Sequence, residues 1–235
     1  MKSYEAALLN SDEEYIMYAK FFKRFLDIVI SLIALIVLSP ILIILIIVGA
    51  VAMRGNPFFV QMRPGKIDKK TGKEKIFPLI KFRTMSNKKG RDGKLLPDSE
   101  RLNAYGKALR ASSLDELPEL INIALGHLSC IGPRPLLPEY LPWYTEEERH
   151  RHDVRPGLTG LAQVSGRNNV EWDRRFQLDV EYVRNISFVN DVKIVLLTIK
   201  KVLGKSDVAE DTSKSEGNFA EIRRKQQEQN EDVTV

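Results

Sequence analysis

The 235-residue chain holds one cysteine, Cys130, and three histidines, His127, His150 and His152. A single thiol excludes an internal disulfide and a cysteine-based zinc cluster, and it suits a reducing compartment. Three histidines leave little material for a histidine-metal site. Charge is missing locally: from Ile28 to Met53, 26 residues carry no Asp, Glu, Lys or Arg. Elsewhere charge is plentiful. The chain is 29% charged and 43% apolar, with a formal net charge of +5. Those averages exclude a disordered chain, a collagen-like chain and a polytopic membrane protein. The length fits one domain with an appendage.

A charge-free run of this length reads as a membrane segment. A cleavable signal peptide does not fit. The run lies behind Glu5, Asp12, Glu13, Glu14 and Asp27, its apolar core is too long, and no small-residue cleavage pattern follows it. As one straight helix it would reach about 39 Å at about 1.5 Å per residue, enough to cross a core of about 30 Å with tilt. Ser39-Pro40 interrupts it near the middle. Proline removes a backbone donor and kinks a helix, and Ser39 is placed to bond the carbonyl freed near position 35. Each arm would be about 18–21 Å long. Both flanks are basic, with Lys20, Lys23 and Arg24 before the run and Arg54, Arg63, Lys66, Lys69, Lys70, Lys73 and Lys75 after it. A spanning helix would strand one cluster on the wrong side, whereas a re-entrant pair keeps both in the cytosol. A plain spanning helix with a proline kink stays open as the alternative.

The expected organisation is an N-terminal segment 1–20, a re-entrant membrane helix hairpin 21–54 broken at Ser39-Pro40, a globular domain 55–205 and a polar, disordered tail 206–235. The fold class is α+β, mainly helical, with amphipathic surface helices. Short strands are expected at Pro57–Gln61 and Ile76–Met85, joined by a polar loop over Lys66–Lys75. Helical spacing runs through Asp98–Ala111 and again from Ser113 to a stop at Gly126. Four prolines within Ile131–Pro142 predict an extended, rigid segment. Thr145–His152 reads as a polar helix, Arg155–Gly160 and Gln163–Arg167 as turns, and Val170–Val183 as helix. Val192–Leu203 is amphipathic, either a core helix or one lying on an anionic surface, and the surface role is favoured. Trp143 and Trp172 are read as core residues.

The most suggestive local feature is Asp115-Glu116 near a helix start. A structural explanation is at hand: Ser113 and Glu116 fit a capping box, and neighbouring helical side chains diverge. The surroundings favour chemistry instead. A helix start attracts phosphate, Arg110 precedes it, and Arg134 is framed by Pro133 and Pro135. Lys81, Arg83, Arg155 and Arg167 add cations on rigid or Gly/Pro-rich segments. Carboxylates beside arginines suit Mg²⁺ with a phosphate substrate, since Mg²⁺ takes one or two carboxylates and completes its shell with water and phosphate.

In order along the chain, the apolar run with Ser39-Pro40, Gln61–Gly65, Lys81–Met85, Ser113–Pro118, Gly132–Pro135, Arg155–Gly160, and Asp179 with Tyr182 make the sequence resemble the monotopic bacterial phosphoglycosyl transferases, the polyprenyl-phosphate sugar-1-phosphate transferases. The likeness covers about Phe21 to Lys205, in a short form. In Pro135–Tyr140 and Val180–Phe188 it is most similar to the diacetylbacillosamine-phosphate type. The resemblance implies a membrane helix that re-enters at Ser39-Pro40, a catalytic domain on the cytosolic face of the bacterial inner membrane, and Mg²⁺ bound at Asp115. It implies Asp115 as nucleophile toward a UDP-sugar, releasing UMP, with polyprenyl phosphate as acceptor. Glu116 would assist, and Arg110, Arg134, Lys81 and Asp179 match positions near phosphate.

The closer likeness implies UDP-N,N'-diacetylbacillosamine or a related N-acetylated amino sugar as donor, with the same reaction on UDP-glucose or UDP-galactose as the alternative. A reading from another class is a membrane-tethered basic module for anionic partners. It leaves Asp115-Glu116 and Arg134 without a role. No nucleic-acid motif is present, so the expected partners are UDP-sugar, polyprenyl phosphate and membrane lipids. A homodimer is compatible with the sequence, which does not set the oligomeric state.

Overall fold

Pro40 breaks the apolar run into two helices in the computed structural model, which describes residues 17–166, 171–204 and 219–233. Helix α1, Lys23–Val37, follows a π-helical turn at Tyr18–Phe22, and α2 covers Ser39–Met53. The two axes bend by 65°. Proline at 40 leaves the Ile36 carbonyl without its helical donor, and the Ser39 hydroxyl donates to that carbonyl at 2.7 Å. The bonded carbonyl is thus at 36 rather than 35. Among the described residues no single helix is long and apolar enough to cross a membrane; by length and composition the bent pair together is. Its outer surface is apolar, with Ile33, Ile36, Val37, Ile44, Ile47 and Val51 exposed. An unbroken apolar surface of this extent is unusual in water.

Both ends of the pair return to one globular body. At the start of α1, Lys23 is buried against Asp191 at 2.6 Å. Arg24 donates to the Ile123 and Ala124 carbonyls. Asp27 accepts from the Ser129 hydroxyl and the Cys130 amide. Lys23 and Arg24 therefore do not act as loose flanking charges, as the sequence suggested; each serves an internal contact. Along α2, the Tyr105 hydroxyl donates to the Leu45 carbonyl and the Asn103 amide to that of Ala52. Near the break, Ala34, Leu35 and Leu38 pack on a core of Phe77, Leu79, Leu120, Ile123 and Leu128.

The body is α+β and mainly helical, with two two-stranded sheets among the described residues. Strands β1, Phe58–Ile67, and β2, Glu74–Phe82, pair antiparallel with Phe58 opposite Phe82 and Arg63 opposite Phe77. Strand β1 runs six residues past the expected end. Pro64 is tolerated there because both strands of a two-stranded sheet are edges. The expected helix over 98–111 is split. Asp98–Arg101 forms one turn, and helix α3, Ala104–Ser112, starts afresh where the Asn103 side chain accepts from the Gly106 amide. Asparagine is a better cap than helix interior. Gly106 packs directly on the Thr84 carbonyl, where a Cβ would overlap it.

After α3 the sequence expectation fails at Ser113. This residue is left-handed, with φ 56°, and ends α3; its side chain caps nothing. A 3-10 turn, Leu114–Glu116, follows, and helix α4 begins at Glu119 and runs to Leu125. The expected capping box is absent because the Glu116 carboxylate is drawn to two cations. Gly126, with φ 88°, stops α4 as predicted.

Strands β3, Ser129–Ile131, and β4, Gly157–Thr159, pair parallel. Gly132 and Gly157 bring their backbones so close that a Cβ on either would collide with the other segment. The expected extended stretch ends at Leu137, because Pro138 opens a 3-10 turn to Trp143 with its φ preset for that position. Thr145 and Glu148 make a capping box, but the expected helix over 145–152 is a single turn, Glu146–Arg149, followed by a 3-10 turn, His150–His152. Gln163 lies in helix α5, Leu161–Gly166, rather than in a turn, and Arg167 lies outside the described residues. Helix α6 spans Trp172–Arg184 and α7 spans Phe188–Leu203, the latter capped by Ser187. On α7, Val192, Val195, Leu196, Ile199 and Val202 are all exposed, so its apolar stripe is not core.

The tail is corrected. Residues 206–218 lie outside the described residues, but Phe219–Val233 forms helix α8. Phe219 is fully buried beside Leu136, Tyr140 and Phe176, with Trp143 and Trp172 packed against them. A polar composition hid one aromatic anchor.

Candidate active site

A cavity of about 1030 Å³ opens where α1, β2, α3 and the 114–116 turn meet. Lys81, Arg110, Asp115, Glu116, Arg134 and Asp179 all line it, so the residues singled out in the sequence are brought together. Ala34 and Leu38, beside the helix break, line it as well.

Glu116 sits between two cations. Its Oε1 accepts from Lys81 Nζ at 2.8 Å and from Arg134 Nη2 at 2.8 Å. Burial alone would raise its pKa, but Arg134 and Lys81 outweigh it and hold the carboxyl well below the usual range. Asp115 differs. Among the described residues no hydrogen bond or ion pair engages its carboxylate. Burial and the neighbouring Glu116 charge push it up to about 6, against the pull of Lys81, Arg134 and Arg110. One carboxylate is locked and ionised, and its neighbour is uncommitted and close to neutral pH in its titration.

Lys81 is shared. It also lies 3.2 Å from Glu119 Oε1. Burial would lower its pKa, but Glu116 and Glu119 raise it, so it stays charged. Glu119 is buried, and burial with the Glu116 charge pushes it up to about 7. Sequence reading missed Glu119. Its spacing was a usable signal, since residues three and four apart on one face neighbour each other.

Arg110 comes from the last turn of α3. Its Nε donates to the Thr84 hydroxyl at 3.1 Å, and its Nη1 is buried without a partner. A buried guanidinium nitrogen of this kind fits an anionic ligand. Arg134 is held from behind. Arg151 Nη2 donates to the Arg134 carbonyl at 2.6 Å, and Arg151 bonds Asp179 Oδ2 through Nε and Nη2. Asp179 is fully buried, and burial raises its pKa against the pull of Arg151. The Asp179 carboxylate is thus committed to Arg151, and it touches the site by fixing the backbone of Arg134. Arg151 was missed too; the charged run 146–152 gave no local sign that Glu148, Arg151 and His152 are buried. Arg155 lies away from the cavity and donates to the Gly126 carbonyl. Arg83 lines the cavity.

An uncommitted carboxylate, a locked carboxylate and several cations thus gather in one cavity beside the break of the apolar helix pair. The chain belongs to the bacterial sugar transferase family, which matches residues 18–205, and so to a family of transferases. It is 46% identical over 181 residues to the uncharacterized sugar transferase EpsL of Bacillus subtilis, covering 77% of this chain and 87% of that one. It is 36% identical over 204 residues to the undecaprenyl-phosphate galactose phosphotransferase of Salmonella typhimurium, covering 79% of this chain and 41% of the relative. It is 36% identical over 191 residues to the UDP-glucose:undecaprenyl-phosphate glucose-1-phosphate transferase of Klebsiella pneumoniae, covering 77% and 40%. The chain therefore spans most of EpsL and less than half of the other two.

Proposed function

We propose that this chain moves a sugar 1-phosphate from a UDP-sugar to polyprenyl phosphate through a covalent adduct on Asp115. The contrast between Asp115, uncommitted, and Glu116, locked between Lys81 and Arg134, carries the reading. The Asp115 carboxylate attacks the β-phosphorus of the UDP-sugar. The bond to the bridging oxygen breaks, and UMP leaves with that oxygen and the electron pair. A sugar-phosphoryl aspartate remains. An oxygen of polyprenyl phosphate then attacks the same phosphorus and returns the carboxylate, giving a polyprenyl diphosphate sugar. Lys81, Arg110 and Arg134 neutralise the phosphate oxygens, without which an anionic nucleophile would be repelled. The covalent route lets a water-soluble donor and a lipid acceptor use the site in turn.

The donor set fits Mg²⁺. Both cations use Glu116 Oε1, which leaves Oε2 and the Asp115 carboxylate for a cation that completes its shell with phosphate and water. Bound there, Mg²⁺ would offset phosphate charge. Homologues named for galactose and glucose support those donors as much as a diacetylated amino sugar. We also read the bent pair as re-entrant, with the catalytic body on the cytosolic face of the inner membrane. The 65° bend, the exposed apolar surface and the return of both ends to one body support this.

Radiolabelled UDP-sugars supplied without acceptor test the reaction. Label should remain on the wild-type protein, UMP should appear, and Asp115→Asn should do neither. An adduct on Asp115→Asn would overturn the role of Asp115.

A further inference from the structure

The family match ends at residue 205, yet α8 at Phe219–Val233 packs against the support of Arg134. Its contacts are few and specific. The Phe219 ring lies 5.0 Å from Phe176 and 5.1 Å from Trp172, both on α6, the helix that carries Asp179. It lies 5.2 Å from Tyr140, in the turn that follows Pro135 and Leu136. Leu136, two residues from Arg134, belongs to the same cluster. One turn along α8, Arg223 bonds Glu148 and Asp173. Glu148 sits in the one-turn helix leading to Arg151, and Asp173 opens α6. Helix α8 therefore grips the three segments that converge on the Arg134 backbone: 135–140, 146–152 and α6. The remainder of α8 is largely polar, so the grip rests on one aromatic plug and one guanidinium.

We infer that α8 is a brace for the phosphate-gripping Arg134, with Phe219 and Arg223 as positioning residues. A fully buried ring at the junction of three segments removes their freedom to shift, and a shift of about 1 Å at a substrate-gripping group costs up to about a hundredfold. The brace acts through Leu136 and Tyr140 on one side and through the Arg151–Asp179 pair on the other. It touches no substrate. The inference rests on the transferase reading for the role of Arg134 and for the activity readout.

The test uses the full-length chain. Trp143 and Trp172 are its only tryptophans, and both pack against the aromatic cluster, so their emission reports whether α8 is docked. Phe219→Ala should shift the emission to the red, raise KM for the UDP-sugar about tenfold with a smaller change in kcat, and weaken UDP binding by calorimetry about tenfold. Phe219→Leu should restore most of both. Arg223→Ala should move the same readouts less, and it stands in if Phe219→Ala fails to fold. Undocking by emission with unchanged KM and UDP affinity would overturn the brace, and so would unchanged emission. UDP calorimetry needs no turnover. A wild-type protein that released no UMP from any donor would sink the transferase reading, and the brace would still be judged by UDP affinity.

Discussion

Arg134 Nη2 and Lys81 Nζ both reach the same oxygen of Glu116, each at 2.8 Å, so the cation from the proline-framed segment and the cation from β2 meet on one carboxylate. That convergence fixes the spacing of the two cations beside Asp115. Glu116→Gln should remove the charge both cations share while keeping the shape. UMP release should fall about 10²–10³-fold. A burst assay without acceptor should still show a slow adduct, because Asp115 remains. Unchanged turnover would show that the lock is dispensable.

On the reading proposed above, the acid limb of the rate profile belongs to Asp115. Its carboxyl must be ionised to attack, and burial first, then Glu116, push it up to about 6. The rate of adduct formation should fall as pH drops through about 6, rather than near the ordinary aspartate value. Single-turnover measurements across pH 5–8 check this.

Glu119 gives a stability signature of opposite use. In the fold it is pushed up to about 7, above the ordinary glutamate value of 4.5, so the folded state binds more protons between those values. Stability contributed by that proton is present at low pH and is lost as pH rises through about 7. Glu119→Gln should flatten this dependence and stabilise the chain at neutral pH by on the order of 1 kcal/mol, read as a higher Tm. A lower Tm at pH 7.5 would contradict the assignment.

Lys23 and Asp191 tie α1 to α7 in a buried pair that also takes the Tyr18 and Tyr182 hydroxyls. Lys23→Met should destabilise by about 3–5 kcal/mol, because Asp191 is left buried without its cation. Lys23→Met with Asp191→Asn should recover part of that loss. Thermal unfolding in one detergent compares them.

The bend should set topology. Pro40→Ala restores a donor to the Ile36 carbonyl and frees the Ser39 hydroxyl from it. Cysteines placed before Phe21 and after Arg54 should both label from the cytosol in the wild type. Straightening should move a fraction of one of them across the membrane. A periplasmic N-terminus in the wild type would refute re-entry.

Much of the site was legible because its signals are local. Two acids in a row, an arginine between prolines and a break at Ser39-Pro40 need no tertiary knowledge. Ser113 misled because a capping pattern is a local preference, and two cations from distant segments outbid it for Glu116. Arg151, Glu119 and Phe219 were hidden for the related reason that their meaning lies in what they are buried against. The short strands β3 and β4 were invisible because a three-residue parallel pair held by Gly132 and Gly157 leaves no periodicity.

Asp27 bonds both Ser129 and Cys130 at the start of the segment that leads to Arg134, so α1 is stitched to strand β3, which runs on to that arginine. In the bilayer arrangement proposed above, how deep Phe21 and Phe25 sink decides the altitude of Asp115, and lipid thickness becomes a dial on turnover.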